Sequence, residues 1–367
     1  MNVIFEELAG AHGARIGVAT LDSPQNLNAL SLPMIKALDA QLRQWADDPA
    51  FTCVLLRGNG PKGFCAGGDV RRLVEVQREQ PGEVHELARQ FFAAEYRLDH
   101  LLHSYPKPLL CWAHGHVLGG GMGLLQGAGV RIVTPDSKLA MPEINIGLYP
   151  DAGGSWFLRH MPGRLGLFFG LTGSQINASD AVALGLADRL LLASQQQALI
   201  DGLLQLNWQL QPERQLHSLL LALAAQAAAE APASQWPERR ERIDQLLDVA
   251  DLESAWQALT ALADDADPLL ARAGQTLQAG CPLTAHLVWE QLQRSRHLSL
   301  AETFRLEYAI SLNCCRYPDF SEGVRARLID KDGAPHWHWP LVAEVPQAVI
   351  EAHFEPTWNG PHPLADL

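Results

Sequence analysis

Two carboxylates stand eight residues apart in the segment MPEINIGLYPDAGG, Glu143 after one proline and Asp151 after another. Both have apolar neighbours, where an ionised carboxylate is costly to desolvate unless it is paired, hydrogen-bonded or put to use. Two glycine-rich turns upstream offer a complementary chemistry. A strand ends before GFCAGGDV, which holds the adjacent Gly67 and Gly68, and an amphipathic helix follows; in GHVLGGGMGLLQG the glycines Gly119 to Gly121 open an apolar helix. Glycine allows a backbone to approach a ligand closely. The N–H groups at a helix start, together with the helix dipole, favour an oxygen that is gaining negative charge. Two converging donors of this kind are what acyl-transfer chemistry needs at a thioester or enolate oxygen. Each piece also has an ordinary reading: a tight turn, close helix packing, Glu143 capping a turn, Asp151 capping the helix after Gly153.

These segments need a scaffold, and the first half of the chain supplies an alternation of strand and helix patterns. ARIGVATL and CVLLRG read as short strands, PLLCWAHG as a buried strand, and GVRIVTP as the strand after the glycine-led helix. Between the first two, Met34, Leu38, Leu42 and Trp45 recur at helical spacing, with Ser31 as N-cap and Pro49 as stop. Such alternation implies an α/β layered core. From about residue 190 the pattern turns to helix-favouring runs such as LLLALAAQAAAEA, with a boundary placed near 195, and the tail EPTWNGPHPLADL reads as irregular. The sequence therefore divides into an α/β region, 1–195, and a mainly helical region, 196–367.

Composition narrows the class of function. A net charge of −13 argues against sequence-independent nucleic-acid binding. No run approaches the roughly 20 apolar residues of a membrane span, and the opening NVIFEELAG lacks the basic and apolar regions of a secretory signal. The six cysteines form no CxxC pair and mostly lie in apolar segments, which reads as reduced core thiols in a cytoplasmic protein rather than disulfides or zinc ligands.

The segments GFCAGGDV, HGHVLGGGMG, MPEINIGLYPDAGG and LTGSQINASDAVALGLAD resemble, in order and spacing, the crotonase (enoyl-CoA hydratase/isomerase) superfamily. A later segment, FRLEYAISLNCCRYPDFSEGVRARLIDKD over 304–332, is similar to the C-terminal signature of the 3-hydroxyisobutyryl-CoA hydrolase branch, which works in valine breakdown. The resemblance implies a crotonase-type ββα spiral core with a helical C-terminal region. It also gives position 123 a meaning. Hydratases carry one glutamate there and a second in the PE loop; this chain has Gly123, which cannot transfer a proton, and keeps Glu143. Asp151 stands where hydratases usually have glycine and the hydrolase branch has aspartate. By the same resemblance the Gly68 and Gly120 N–H groups are the oxyanion donors. Glu143 attacks the thioester carbonyl or acts as base for a water, and Asp151 binds the substrate 3-hydroxyl or assists proton transfer. Gly67, Asp69 and Glu95 line the substrate pocket, Lys62 and Arg71 lie near the CoA phosphates, and the Ala66 carbonyl lies near adenine. CoA enters as part of the substrate, with no metal or separate cofactor, no nucleic-acid or membrane partner, and self-association left open. The competing expectations are another crotonase-type acyl-CoA enzyme and a CoA-binding protein without catalysis.

Overall fold

Among the described residues ten strands follow one another as β1 (Val3–Ala9), β2 (Arg15–Leu21), β3 (Phe51–Gly58), β4 (Gly63–Cys65), β5 (Leu109–Ala113), β6 (His116–Leu118), β7 (Val130–Val133), β8 (Lys138–Ala140), β9 (Ile176–Asn177) and β10 (Arg189–Leu190). The structure, a computed structural model, describes residues 2–367. The strands sort into a six-stranded sheet, β1-β2-β3-β5-β7-β10, and a four-stranded one, β4-β6-β8-β9. Successive strand pairs are thus shared between the two sheets: β3 then β4, β5 then β6, β7 then β8. A helix follows each pair, which is the ββα spiral that the sequence implied.

Local chemistry explains the elements. β3 and β5 are almost wholly buried, as parallel strands covered on both faces must be, and their sequences FTCVLLRG and LLCWA are continuous apolar runs. The helix Leu32–Asp47 starts where the Ser31 side chain accepts the Met34 N–H at 3.4 Å, and it buries Met34, Ile35, Leu38, Leu42 and Trp45. All six cysteines are buried free thiols.

The chain groups into two compact units. The first comprises residues 1–68, 98–139 and 176–237; the second comprises 69–97, 140–175 and 238–367. The six-stranded sheet lies in the first. After β10 every regular element is helical, yet the helices Gln196–Gln205 and Pro212–Ala227 belong to this first unit. Their Leu199, Leu203, Leu216 and Leu220 share one apolar core with Ile16, Val18 and Leu55. The grouping therefore does not follow the change of element type near residue 195.

The second unit is helical around Leu300–Cys314. That helix opens on a reciprocal Ser299–Glu302 capping box and buries ten of its fifteen residues, so it is enclosed on nearly every side. No regular element follows the helix Gln347–His353, and the tail is held by Arg97 to Asp366 at 2.7 Å and by Arg305 Nε to the Leu364 carbonyl at 3.0 Å. Among the described residues no helix is long and apolar enough to cross a membrane.

Candidate active site

In the first unit the two glycine turns meet. Gly67 has φ +100°, and a Cβ placed on it would lie 3.3 Å from the Leu118 carbonyl oxygen and 3.6 Å from the Gly120 nitrogen. A Cβ on Gly121 would fall 2.3 Å from the Cys65 carbonyl oxygen. Only glycine lets these backbones pass so closely. The Gly67 carbonyl is fixed by the Leu30 N–H at 2.8 Å, and the Ala66 N–H by the Leu27 carbonyl at 3.0 Å. Gly119, at φ +51°, starts the helix Gly120–Gly127 without a side-chain cap. Its carbonyl receives Met122 N–H at 2.8 Å and Gly123 N–H at 3.2 Å, leaving Gly120 with no acceptor inside the helix. The two turns thus bring the Gly67 and Gly120 backbones into close approach, with the Gly120 N–H at the start of its helix. Every residue of the helix Gly120–Gly127 is buried, and none is a carboxylate.

The second unit gathers Glu95, Glu143 and Asp151, at 3%, 4% and 5% exposure, into one buried acidic cluster. Glu95 comes from the helix Glu86–His103, Glu143 from the 3₁₀ turn Glu143–Asn145, and Asp151 from the loop before the helix Gly154–Arg159. Sequence reasoning missed a fourth member, Glu307, which is fully buried on Leu300–Cys314. Its Oε2 accepts the Gly153 N–H at 2.8 Å and its Oε1 the Ser155 N–H at 2.9 Å. Glu307, and not the Asp151 side chain, therefore caps the short helix. It pins a turn in which Ala152 and Gly153 have φ +51° and +84°; the left-handed alanine costs about 1–2 kcal/mol, which these two bonds help offset.

Asp151 is held differently. Its Oδ2 accepts the Tyr96 hydroxyl at 2.8 Å, and its backbone carbonyl accepts the Gly154 N–H at 2.8 Å. Behind it, the Tyr96 oxygen lies 2.5 Å from Ser311 Oγ, and Ser311 Oγ lies 2.9 Å from the Tyr149 oxygen. Tyr149 in turn donates to the Glu307 carbonyl oxygen at 2.6 Å. Tyr96, Tyr149 and Ser311 were also absent from the sequence reading. Glu143 makes the sharpest contrast, because its Oε2 is buried with no hydrogen-bond partner.

Burial and crowding of like charges dominate the electrostatics. Burial, reinforced by Asp151, holds the Glu143 carboxyl well above the usual glutamate range, against a bond from its own N–H. Burial does the same to Glu95, followed by Asp151 and Glu307. Burial lifts Glu307 to about 8 although two backbone N–H groups favour its ionised form. Asp151 rises only to about 6, because the Tyr96 hydroxyl and its own backbone oppose burial. Burial and mutual repulsion thus push all four carboxyls toward their protonated forms.

The peripheral candidates are less constrained. Lys62 and Arg71 are exposed and form no ion pair among the described residues, and the Asp69 side chain does not cap the helix Val70–Glu79 that follows it.

The spiral of ββα units is that of a crotonase-fold acyl-CoA enzyme. The chain matches the enoyl-CoA hydratase/isomerase family over residues 16–354 and belongs to it. It is 34% identical over 355 residues to the Danio rerio protein named "3-hydroxyisobutyryl-CoA hydrolase, mitochondrial", covering 96% of this chain and 89% of that one. Among solved structures it resembles a carnitinyl-CoA dehydratase from Mycobacterium thermoresistibile, with TM-score 0.85 and 32% identity over 97% of both chains. It also resembles an enoyl-CoA hydratase from Rhodobacter sphaeroides 2.4.1, with TM-score 0.81 and 31% identity over 97% of this chain and 98% of that one. The expectation of a cytoplasmic protein finds no support here, since the Danio rerio relative is named as mitochondrial.

Proposed function

We propose that this protein hydrolyses a short-chain 3-hydroxyacyl-CoA thioester, with 3-hydroxyisobutyryl-CoA as substrate and 3-hydroxyisobutyrate and free CoA as products. The observation that carries the reading is the pairing of two buried carboxylates with opposite surroundings. Glu143 Oε2 is bare, and Asp151 Oδ2 is already engaged by Tyr96. A bare buried carboxylate oxygen costs about 1–3 kcal/mol in stability, a cost that a reacting group repays in rate. The name of the Danio rerio relative supports the same substrate.

In this proposal the Gly68 and Gly120 N–H groups take the charge that develops on the thioester oxygen. Glu143, ionised, either attacks the carbonyl carbon or draws a proton from the attacking water. In the first route the C–S bond breaks, CoA leaves as thiolate and takes a proton, and water then cleaves the acyl–Glu143 anhydride. In the second, water adds directly and the acid and CoA form in one passage. The sum is the same: thioester plus water gives carboxylic acid plus thiol. Asp151 accepts a hydrogen bond from the 3-hydroxyl or assists proton transfer. No separate cofactor enters the proposal.

A hydratase or dehydratase reading is favoured by the names of the two solved structures, each above 30% identity over nearly the whole chain. Gly123 weighs against it, because hydration across a double bond needs an acid and a base, and the helix Gly120–Gly127 carries neither. A panel of short acyl-CoAs, with and without a 3-hydroxyl, separates the two. The hydrolase reading expects free CoA to accumulate, measured with a thiol reagent. Turnover that alters the acyl chain and leaves the thioester intact would establish the hydratase reading instead.

A further inference from the structure

The hydroxyls behind Asp151 form a chain whose hydrogens can be counted. Four contacts link Asp151 Oδ2, Tyr96, Ser311, Tyr149 and the Glu307 carbonyl oxygen, at 2.8, 2.5, 2.9 and 2.6 Å. Three hydroxyls supply three hydrogens. Tyr96, Tyr149 and Ser311 are all buried, and burial with the nearby acids pushes both phenols up, so they keep their protons. The Glu307 carbonyl can only accept. With Asp151 ionised, Tyr96 must donate to it, and one of the four contacts is left without a hydrogen. With a proton on Asp151 Oδ2, the Tyr96 hydroxyl can turn from Asp151 toward Ser311, while Tyr149 keeps donating to the carbonyl. Asp151 then donates to Tyr96, Tyr96 to Ser311, Ser311 to Tyr149, and Tyr149 to the carbonyl. All four contacts are filled. Once Asp151 carries its proton, the change needs only rotation of O–H groups, Tyr96 turning and Ser311 turning toward Tyr149.

We infer that Tyr96, Ser311 and Tyr149 are positioning residues that form a reversible hydroxyl chain, turning with the protonation of Asp151 and thereby making it able both to accept and to deliver a proton. The inference rests on the role proposed for Asp151 in thioester hydrolysis, although the chain itself is a property of the free protein. Tyr96 acts oppositely to the serine. Tyr96 supplies a bond to ionised Asp151, which favours the charged form. Ser311 supplies the acceptor that the Tyr96 hydrogen needs once Asp151 is protonated, which favours the neutral form. The groups facing Asp151 from the surrounding elements are Glu95 and Tyr96, Glu143, Tyr149, Glu307, and Cys314 with Cys315. None is a cation, so the Tyr96 hydroxyl at the head of the chain and the backbone at Asp151 are what trim the charge there.

The test is a titration of the Asp151 carboxyl by carbon NMR on the whole protein with labelled aspartate, assigned with Asp151→Asn. Tyr96→Phe should move its midpoint upward by about one pH unit, the usual size of a hydrogen bond to a charged group. Ser311→Ala should move it downward, and Ser311→Thr, which keeps the hydroxyl, should restore it. If both variants move the midpoint the same way, or neither moves it, the reversible chain is wrong. Circular dichroism shows whether each variant is folded; should Tyr96→Phe unfold, the Ser311 pair alone decides by its sign. Because the titration needs no substrate, it stands even if the hydrolase reading fails. The parallel pH profile of CoA release then shows whether the midpoint shift reaches the reaction.

Discussion

Glu307 holds Gly153 through its side chain: Oε2 accepts the Gly153 N–H at 2.8 Å while Oε1 takes that of Ser155 at 2.9 Å. A carboxyl from one helix thus fixes the turn that follows Asp151, and it does so from a position where burial raises its proton affinity.

That relationship predicts how stability depends on pH. Glu307 has its folded-state value near 8, above the 4.5 of a free glutamate. Between those values the folded protein holds a proton that the unfolded chain has lost, so stability falls as pH rises through the window. Glu95 and Glu143 are raised in the same direction and add to the fall. Urea unfolding from pH 4.5 to 8 should show declining stability, and Glu307→Gln should make the decline shallower. A slope unchanged in the variant would show that Glu307 ionises normally.

The fold was legible where periodicity speaks locally. The strands β2, β3, β5 and β7 and the helix from Leu32 were readable from apolar runs and the Ser31 cap. The interleaved grouping of segments was not, because a pattern within ten residues carries no record of which distant segment covers it. Glu95 was legible through family likeness alone, since a single helical glutamate reads as solvated; it is in fact 3% exposed. Glu307 had a signal that went unused. It sits between Phe304, Tyr308, Ile310 and Leu312, all buried, and a helix apolar on nearly every side leaves an acid beyond its first turn nowhere to go but inside. Tyr96, Tyr149 and Ser311 had none, since their hydroxyls matter only through partners 55 to 215 residues away.

At the donor frame, Gly67→Ala should damage turnover more than folding. The new Cβ would sit at φ +100° and 3.3 Å from the Leu118 carbonyl oxygen, pressing on the Gly119–Gly120 peptide. The strain is at least about 1–2 kcal/mol, whereas displacing one oxyanion donor costs about 10²–10³ in kcat. Steady-state kinetics beside a thermal melt would check it. A kcat within twofold of the wild type would exclude this turn from the chemistry.

Hydration of crotonyl-CoA should be negligible, because Gly123 offers no proton on the buried helix Gly120–Gly127. Gly123→Glu is expected to bring back a trace of it in whatever fraction folds. The loss of enoyl absorbance follows both proteins. Rapid hydration by the unmodified protein would overturn the hydrolase assignment.

Asp151 should read the substrate hydroxyl. A site built around that hydrogen bond leaves a buried group unpaired when the hydroxyl is missing. Isobutyryl-CoA should therefore have a kcat/KM lower than 3-hydroxyisobutyryl-CoA by a factor on the order of 10² or more, and Asp151→Asn should narrow the gap. Equal rates for the two thioesters in the wild type would reduce the substrate to an unspecified short acyl-CoA.

The most direct test is Glu143→Gln, with CoA release from 3-hydroxyisobutyryl-CoA measured beside binding by calorimetry. The substitution keeps size and shape and removes the carboxylate whose Oε2 stands bare in the acidic cluster. If Glu143 cleaves the thioester, kcat falls by about 10³ or more while the dissociation constant changes only a fewfold. In the wild type, kcat/KM should also show an acid limb displaced above the ordinary glutamate range, since burial and Asp151 raise the group that must ionise. A variant that still releases CoA at a comparable rate would contradict the account at its centre.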